Sequence, residues 1–357
     1  MMAARPVELE LTLIPRSRYD AIDVAARLRE EHDDMLAGFP RSLYCSFHTT
    51  AGYLEQGLST RLENRRERLD PFIRAFQALF PPGASYRHDR LELRGELSDE
   101  QRKVEPKNAD SHLAFIGSGL RNCVVYTNRP DAPVYFMDLD GVHAGRARTR
   151  RTRVVAYHRA RVVERVRCEV PVSRHPIDSI NLADPRTGLL AHAEALISRH
   201  GIGKGRLDIA LASAEHDAGV TVNEYETLLM RHDLAEVLAD PLKFAARTGR
   251  RMLADPRAIP AKSLGYAKYD MVHVLNELMD ALRVSESAVE RLLARVMAVP
   301  ASRFLRMKRR VSLLVSDVHE PSGGAVIQGR FQNPILVQWA AAPQGRRSVE
   351  ITLTSFQ

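Results

Sequence analysis

Cysteine is scarce in this chain: Cys45, Cys123 and Cys168 are the only three, widely spaced and with no C-x-x-C pair. That rules out a disulfide framework and a thiolate zinc site, and leaves each cysteine as a small hydrophobe. Aromatic residues make up only 6% and tryptophan occurs once, so stacking platforms for single-stranded nucleic acid are few. No apolar run approaches the ~18 residues of a membrane span. Met1 to Pro6 lead straight into a charged strand pattern without an apolar signal core, so the expected location is cytoplasmic. The chain also lacks G-x-S-x-G, H-E-x-x-H and the kinase signatures. Gly201-Ile202-Gly203-Lys204-Gly205 precedes a strand instead of joining a strand to a helix, so it reads as a turn and not a phosphate loop.

What remains is an ordinary globular composition of 357 residues, 45% hydrophobic and 27% charged. That length predicts two domains. Lys and Arg outnumber Asp and Glu by 52 to 44, a net +8 that favours anionic ligands at the level of the overall field.

Residues 7–14 alternate apolar and polar and predict a half-buried strand. Helical spacing over 20–34 predicts a helix ended by Gly38 and Pro40. Leu43 to Phe47 predicts a strand that delivers His48-Thr49-Thr50-Ala51-Gly52. A helix is expected over 58–80, a polar loop over 90–107 and a short helix over 108–116. Strands near 123–126 and 134–138 follow, and one long basic strand over 146–163 closes the half. The order then repeats: Cys168–Val172, Ile180-Asn181-Leu182 in the place of Ile22-Asp23-Val24, a helix over 189–200 and a strand over 207–212. That last strand delivers Glu215-His216-Asp217-Ala218-Gly219 in the place of His48 to Gly52. Pro334 to Val337 parallels Pro133 to Phe136, and Arg346 to Val349 parallels Arg151 to Val154. The shared order predicts an internal duplication: residues 1–165 and 166–357, the second with a helix-rich insertion around 242–298.

The chemistry-bearing residues concentrate in the first half. His48 ends a strand, His88-Asp89 follows a turn, Asn108 and His112 share one helix face, and Asp138 and Asp140 share one strand face. Imidazoles with carboxylates suit either a divalent ion such as zinc, manganese or magnesium or an acid–base pair. Arg146, Arg148 and Arg150 fall on one face of a strand, and Arg151 and Arg153 on the other. Such a run either anchors a diphosphate or blunts a solvated edge strand. Arg303, Arg306, Lys308, Arg309 and Arg310 invite the same two readings.

On His48-Thr49-Thr50-Ala51-Gly52, Tyr86-Arg87-His88-Asp89, Asn108-Ala109-Asp110-Ser111-His112-Leu113 and Asp138-Leu139-Asp140-Gly141, the sequence resembles the YjbQ family over about residues 7–160. The resemblance implies an α+β fold of two tandem YjbQ-like domains, each a mostly antiparallel sheet with helices packed on it, the second copy degenerate. It also implies a trimeric homo-oligomer with sites at subunit contacts. The implied catalytic residues are His48, Thr49, His88, Asp89, Asn108, His112 and Asp138. Thr50, Arg148, Arg151, Arg153, Asn223 and Glu224 would contact substrate, and His48, His88 and His112 would hold a divalent ion, zinc or magnesium. Gln56 and Gly57 depart from the family's Asn-Glu pair, which the second half keeps as Asn223-Glu224. The activity so implied is secondary thiamine-phosphate synthesis, a diphosphate-releasing C–N bond formation, or action on another phosphorylated small molecule. The alternative is a non-catalytic module for phosphorylated metabolites or nucleic acid, the latter a thin case on this composition, with no membrane partner.

Overall fold

The computed structural model describes residues 5–33, 35–130, 132–239, 307–318 and 323–357. The first half runs β1 (Val7–Leu13), β2 (Asp20–Asp23), α1 (Val24–His32), β3 (Arg41–Ser46) and β4 (Ala51–Tyr53). Then come α2 (Gln56–Arg61), α3 (Arg66–Leu79), α4 (Asp99–Val104) and α5 (Ala109–Gly117). The half closes with β5 (Cys123–Thr127), β6 (Tyr135–Asp138), a small hairpin of β7 (Val142–His143) and β8 (Arg146–Ala147), and β9 (Arg150–Tyr157). The second half runs β10 (Ala160–Pro171), β11 (Asp178–Asn181), α6 (Leu189–Arg199), β12 (Lys204–Leu211) and β13 (Ala218–Asn223). After α7 (Leu234–Ala239) it ends in β14 (Arg310–Ser316), β15 (Ala325–Ile327), β16 (Asn333–Gln338) and β17 (Arg346–Phe356).

Sheet order makes the duplication explicit. The first half pairs β1-β9-β3-β5 and β2-β6-β4, and the second pairs β10-β17-β12-β14-β15 and β11-β16-β13. Every ladder is antiparallel. Register fixes which residues correspond. Asp138 faces Asp20 and Ala51 across the small sheet, and Gln338 faces Asp178 and Ala218. Gln338 therefore stands where Asp138 stands, one residue from the alignment suggested by Pro133 and Pro334.

Alternation explains how these strands bury one face. In β1, Leu11 and Leu13 are buried while Glu10 and Thr12 are exposed, the period-two pattern of a half-covered sheet. Asp23 starts α1 by accepting the amides of Ala25 and Ala26, and the helix lays Val24 and Leu28 on the sheet. Each repeat has its own core, the first around Leu11, Tyr53 and Phe136, the second around Leu207, Val220 and Ile351. A third cluster joins Leu43, Cys45, Cys123 and Tyr157 of the first repeat to Leu314 and Phe356 of the second, with Tyr157 stacked on Phe356 at 4.0 Å. Cys45 and Cys123 are opposed residues on β3 and β5, buried as expected of small hydrophobes. Cys168 is only partly covered.

The chain divides into two compact units that do not follow the repeat order. Unit one holds Met1–Leu58, Leu120–Tyr225 and Met307–Gln357, and so contains both repeated β cores; unit two holds Ser59–Gly119 and Glu226–Arg306. Each repeat thus gives its strands to one unit and the segment inserted after its second short strand to the other. The expected boundary at 165 falls inside β10, whose partner throughout is β17. The expected helix-rich stretch at 242–298 lies outside the described residues.

Local differences from the sequence reading have backbone causes. The 20–34 segment opens as β2 before turning helical, because Asp20 to Asp23 pair with β6. The 58–80 helix is broken into α2 and α3 at Glu63 and Asn64, whose φ angles of 59° and 50° no helix accommodates. The 90–107 loop contains α4, closed by a reciprocal capping box between Ser98 and Gln101. The long basic strand is three pieces, with a turn at 158–159 before β10. Among the described residues no helix is long and apolar enough to cross a membrane.

Candidate functional site

β3 ends at Ser46, and the turn that follows carries His48, Thr49 and Thr50 before β4 begins. Beneath this turn Arg150 is almost wholly buried and held in a fork by Asp138, Nε to Oδ2 at 2.6 Å and Nη2 to Oδ1 at 2.8 Å. Its Nη2 also donates to the Asp140 carbonyl at 2.8 Å and reaches Thr50 Oγ1 at 3.4 Å. Such a bidentate pair suits a planar guanidinium in a buried position. Asp140, fully buried, is ion-paired with Arg148. Burial pushes the Asp138 carboxyl up, with Arg150 working against it.

His48 completes this cradle as a neutral ring. The Arg151 amide donates to its Nε2 at 2.8 Å, which places the ring proton on Nδ1, the nitrogen 3.5 Å from Arg150 Nη1. Burial first, then the charges of Arg150, Arg148 and Arg151, push the imidazole down to about 3.

The second repeat rebuilds this cradle with the charges exchanged. Arg347 takes the place of Arg150: its Nε donates to Gln338 Oε1 at 3.3 Å and its Nη2 to the Ala340 carbonyl at 2.5 Å. Arg347 Nη1 donates to Glu215 Oε2 at 2.7 Å, and the Ser348 amide donates to Glu215 Oε1 at 2.8 Å. Glu215 stands where His48 stands, accepting from both Arg347 and the Ser348 amide, whereas His48 accepts only the Arg151 amide. Even the adjoining bridge is kept, with Leu139 N–H on the Thr50 carbonyl at 3.1 Å and Trp339 N–H on the Asp217 carbonyl at 3.0 Å. The contacts correct the sequence alignment of the closing strands, in which Arg347 had fallen opposite Thr152. They also show that Gln338 and Ala340 replace the two carboxylates.

Residues of the second repeat reach the His48 turn directly. Gln332 Nε2 donates to the carbonyls of Ser46 at 3.0 Å and His48 at 2.9 Å, and Asn223 Nδ2 donates to the Thr49 carbonyl at 3.1 Å. Asn223 was expected to act on the first repeat's site, and it touches that turn through the backbone; its own carbonyl oxygen accepts the Glu224 amide.

The other predicted residues lie in unit two and are drawn together there. His88 is buried, with Nδ1 3.2 Å from Glu226 Oε2 and Nε2 3.2 Å from Asn108 Oδ1. The His112 ring, one turn along α5 from Asn108, meets the His88 ring edge-on at 5.1 Å. Asp89 Oδ1 accepts the Ala109 amide at 3.0 Å and so caps the start of α5. Asp233 accepts the amides of Arg87 and His88 at 2.9 and 3.0 Å, and burial pushes its carboxyl up to about 6. Burial also opposes ionisation of Glu226, yet hydrogen bonds from His88 and from the Leu228 and Leu229 amides together hold its carboxyl below the ordinary range. Sequence reading missed Glu226 and Asp233. Both come from the second half, and no spacing relative to His88 marks them.

The arginine run divides by environment. Arg153 is spent on Glu10 at 2.6 Å and Glu8 at 3.2 Å across β1, a structural ion pair instead of the expected substrate contact. Arg151 is exposed, and among the described residues no carboxylate pairs with it. In the second basic cluster, Lys308 Nζ donates to the Leu120 carbonyl and Arg309 to the carbonyls of Ala212 and Glu215, so both tie backbone. Arg303 and Arg306 lie outside the described residues.

The proposed metal ligands meet a difficulty of donor chemistry. The His48 Nε2 lone pair is committed to an amide, and both His88 nitrogens face protein oxygens. A metal-binding imidazole needs one lone pair free for the ion. Among the described residues no group of three or more His, Cys, Asp or Glu is placed to hold a metal ion. The His48 and His88 rings do not fit the ion as they stand.

Together these features define an α+β protein built from two tandem antiparallel copies, one with a histidine cradle and one with a glutamate cradle. Among solved structures, the chain is similar to a YbjQ-like protein of unknown function from Sulfolobus solfataricus, at 15% identity and a TM-score of 0.29 over 55% of this chain and 99% of that one. It is also similar to a hypothetical protein from Aeropyrum pernix, at 17% identity and a TM-score of 0.28 over 54% of this chain and 98% of that one. An uncharacterised conserved protein of the yjbq/upf0047 family from Clostridium acetobutylicum matches at 11% identity and a TM-score of 0.27, over 53% of this chain and 98% of that one. No protein-family model matches the chain, and no curated protein does.

Proposed function

We propose that the protein is an enzyme that takes a phosphorylated small molecule at the His48 turn. One observation carries this reading. Three guanidinium groups surround a neutral histidine, and only two of them, Arg150 and Arg148, are matched by buried carboxylates. Arg151 is left as an exposed positive charge, and Arg148 is partly exposed. Guanidinium forks match phosphate oxygens in geometry as well as charge, so this end of the first repeat favours a phosphate or diphosphate group. His48 adds a neutral ring whose tautomer is set by the backbone, and Thr49 adds a hydroxyl on the same turn. Arg148 and Arg151 would also stabilise a departing diphosphate as negative charge builds on it. The thiamine-phosphate-synthase-like transfer implied by the sequence motifs is the finer form of the same proposal: a C–N bond forms as the C–O bond to diphosphate breaks.

Calorimetric titration with inorganic phosphate and with diphosphate tests the reading. Saturable binding to the wild type is expected, weakened by about tenfold in Arg151→Ala, the order of one charge-assisted hydrogen bond. Turnover of a pyrimidine-methyl diphosphate with a thiazole phosphate is expected to fall with His48→Ala. Binding of oligonucleotides with a steep log–log salt slope, and none of small phosphates, would replace this reading with the charge-only one.

A further inference from the structure

We infer that the second repeat is a built-in clamp for the first repeat's site, with Gln332 and Asn223 as positioning residues that hold the His48 turn in its working geometry. Three backbone carbonyls of one short segment, those of Ser46, His48 and Thr49, each accept a side-chain amide from the other repeat. Both amides are buried, Gln332 at 5% exposure and Asn223 at 0%. They are themselves held in place. Gln332 N–H donates to the Gly329 carbonyl at 2.9 Å and Gln332 Oε1 accepts the Gly329 amide at 3.0 Å, so the 329–332 turn is tied at both ends. Asn223 Oδ1 accepts the Glu224 amide at 2.8 Å.

The remaining carbonyl of the segment is gripped by shape. Gly329 lies so close to the Phe47 backbone that an added Cβ would collide with its carbonyl oxygen, and only glycine admits that approach. Carbonyls 46 to 49 are therefore all met by the second repeat, two amide side chains and one glycine doing the work. A segment that leaves a strand would otherwise turn these acceptors to water and sample several conformations. Fixing the carbonyls fixes the φ and ψ angles of His48. Those angles aim the ring so that Nε2 meets the Arg151 amide. The second repeat has lost the histidine and both aspartates of its own cradle, yet it keeps the residues that hold the other one.

The inference rests on the phosphate reading only for its binding measurement. Gln332→Glu keeps size and packing but removes the donor to both carbonyls, and Asn223→Asp does the same for Thr49. Imidazole nitrogen chemical shifts of His48 report whether Nε2 still accepts a hydrogen bond, and phosphate titration reports the site. For Gln332→Glu the clamp requires the Nε2 signature to shift towards that of a water-exposed ring and phosphate affinity to fall by about tenfold. A variant that keeps the wild-type His48 signature overturns the inference, whatever happens to its melting temperature. If the wild type binds no phosphate, the reading of the site fails while the His48 signature still decides the clamp. Should Gln332→Glu not fold, Asn223→Asp yields the same two readouts.

Discussion

The two cradles solve one electrostatic problem in opposite ways. Each must neutralise a buried arginine that ties the closing strand to a neighbouring chain reversal. Around Arg150 the negative charge sits on the strand at Asp138, and the turn contributes a neutral His48. Around Arg347 the strand contributes neutral Gln338, and the negative charge sits on the turn at Glu215. The sum is the same, so both folds are satisfied. What differs is what the turn offers: in the first repeat an aromatic base held neutral, in the second a carboxylate already consumed by Arg347 and the Ser348 amide. The first repeat also keeps Asp140, Arg148 and the β7–β8 hairpin, where the second has a single short turn at Pro343–Gly345.

This comparison can be broken most severely by removing one charge from either pair. Asp138→Ala and Glu215→Ala each strand a buried guanidinium, and a loss of about 3–5 kcal/mol is expected in denaturant unfolding for both. A loss below 1 kcal/mol in either would show that its arginine finds other partners or water.

Acid should separate the repeats next. His48 is held far below its ordinary value in the folded state, so the unfolded chain binds the proton more readily between pH 6.5 and about 3. Its contribution is complete above pH 6.5 and is lost as pH falls, at a cost on the order of a few kcal/mol. His48→Gln is expected to flatten that part of the stability profile. Asp233 in unit two works the other way, since its raised carboxyl takes up a proton in the folded state first, and stability from it grows as pH falls from about 6 towards 4. Asp233→Asn should remove that rise; a profile unchanged in either variant would contradict the assigned environments.

Smaller effects test the glycines. Gly329→Ala must push the Phe47 carbonyl away, at about 1–3 kcal/mol. Gly38→Ala meets nothing within 4 Å and should lie within about 0.5 kcal/mol of the wild type. Equal effects at the two positions would dissolve the argument for a close approach. Exposed Arg146→Ala should be the mildest change, also within about 0.5 kcal/mol.

Much of this is legible in the sequence. Alternation in β1 and the spacing of α6 announce their elements, and the shared order of strands announces the duplication. Register was not legible, because a strand aligned one or two residues away looks equally good by composition. The closing segment left Gln338 and Trp339 both open as the counterpart of Asp138, and the ladders through Ala51 and Ala218 select Gln338; the paired arginines misled by two, until the contacts of Arg347 fixed them. Of the site, the Asn108 and His112 pairing was visible from helix spacing, since they are one turn apart, while His88 was joined to them only by the family resemblance. Glu226, Asp233 and Gln332 were not, because their partners are far away in sequence and each stands alone among ordinary polar residues. Arg153 misled for a related reason: its carboxylates lie on another strand, so a sequence run cannot tell a spent guanidinium from an available one.

The most direct test transplants the second repeat's arrangement into the first. Asp138→Gln alone should destabilise strongly, and adding His48→Glu should recover most of that loss, giving a coupling energy of about 2 kcal/mol or more in a double-mutant cycle. Losses that simply add would mean that Glu215 and Asp138 are not interchangeable answers to the same buried charge.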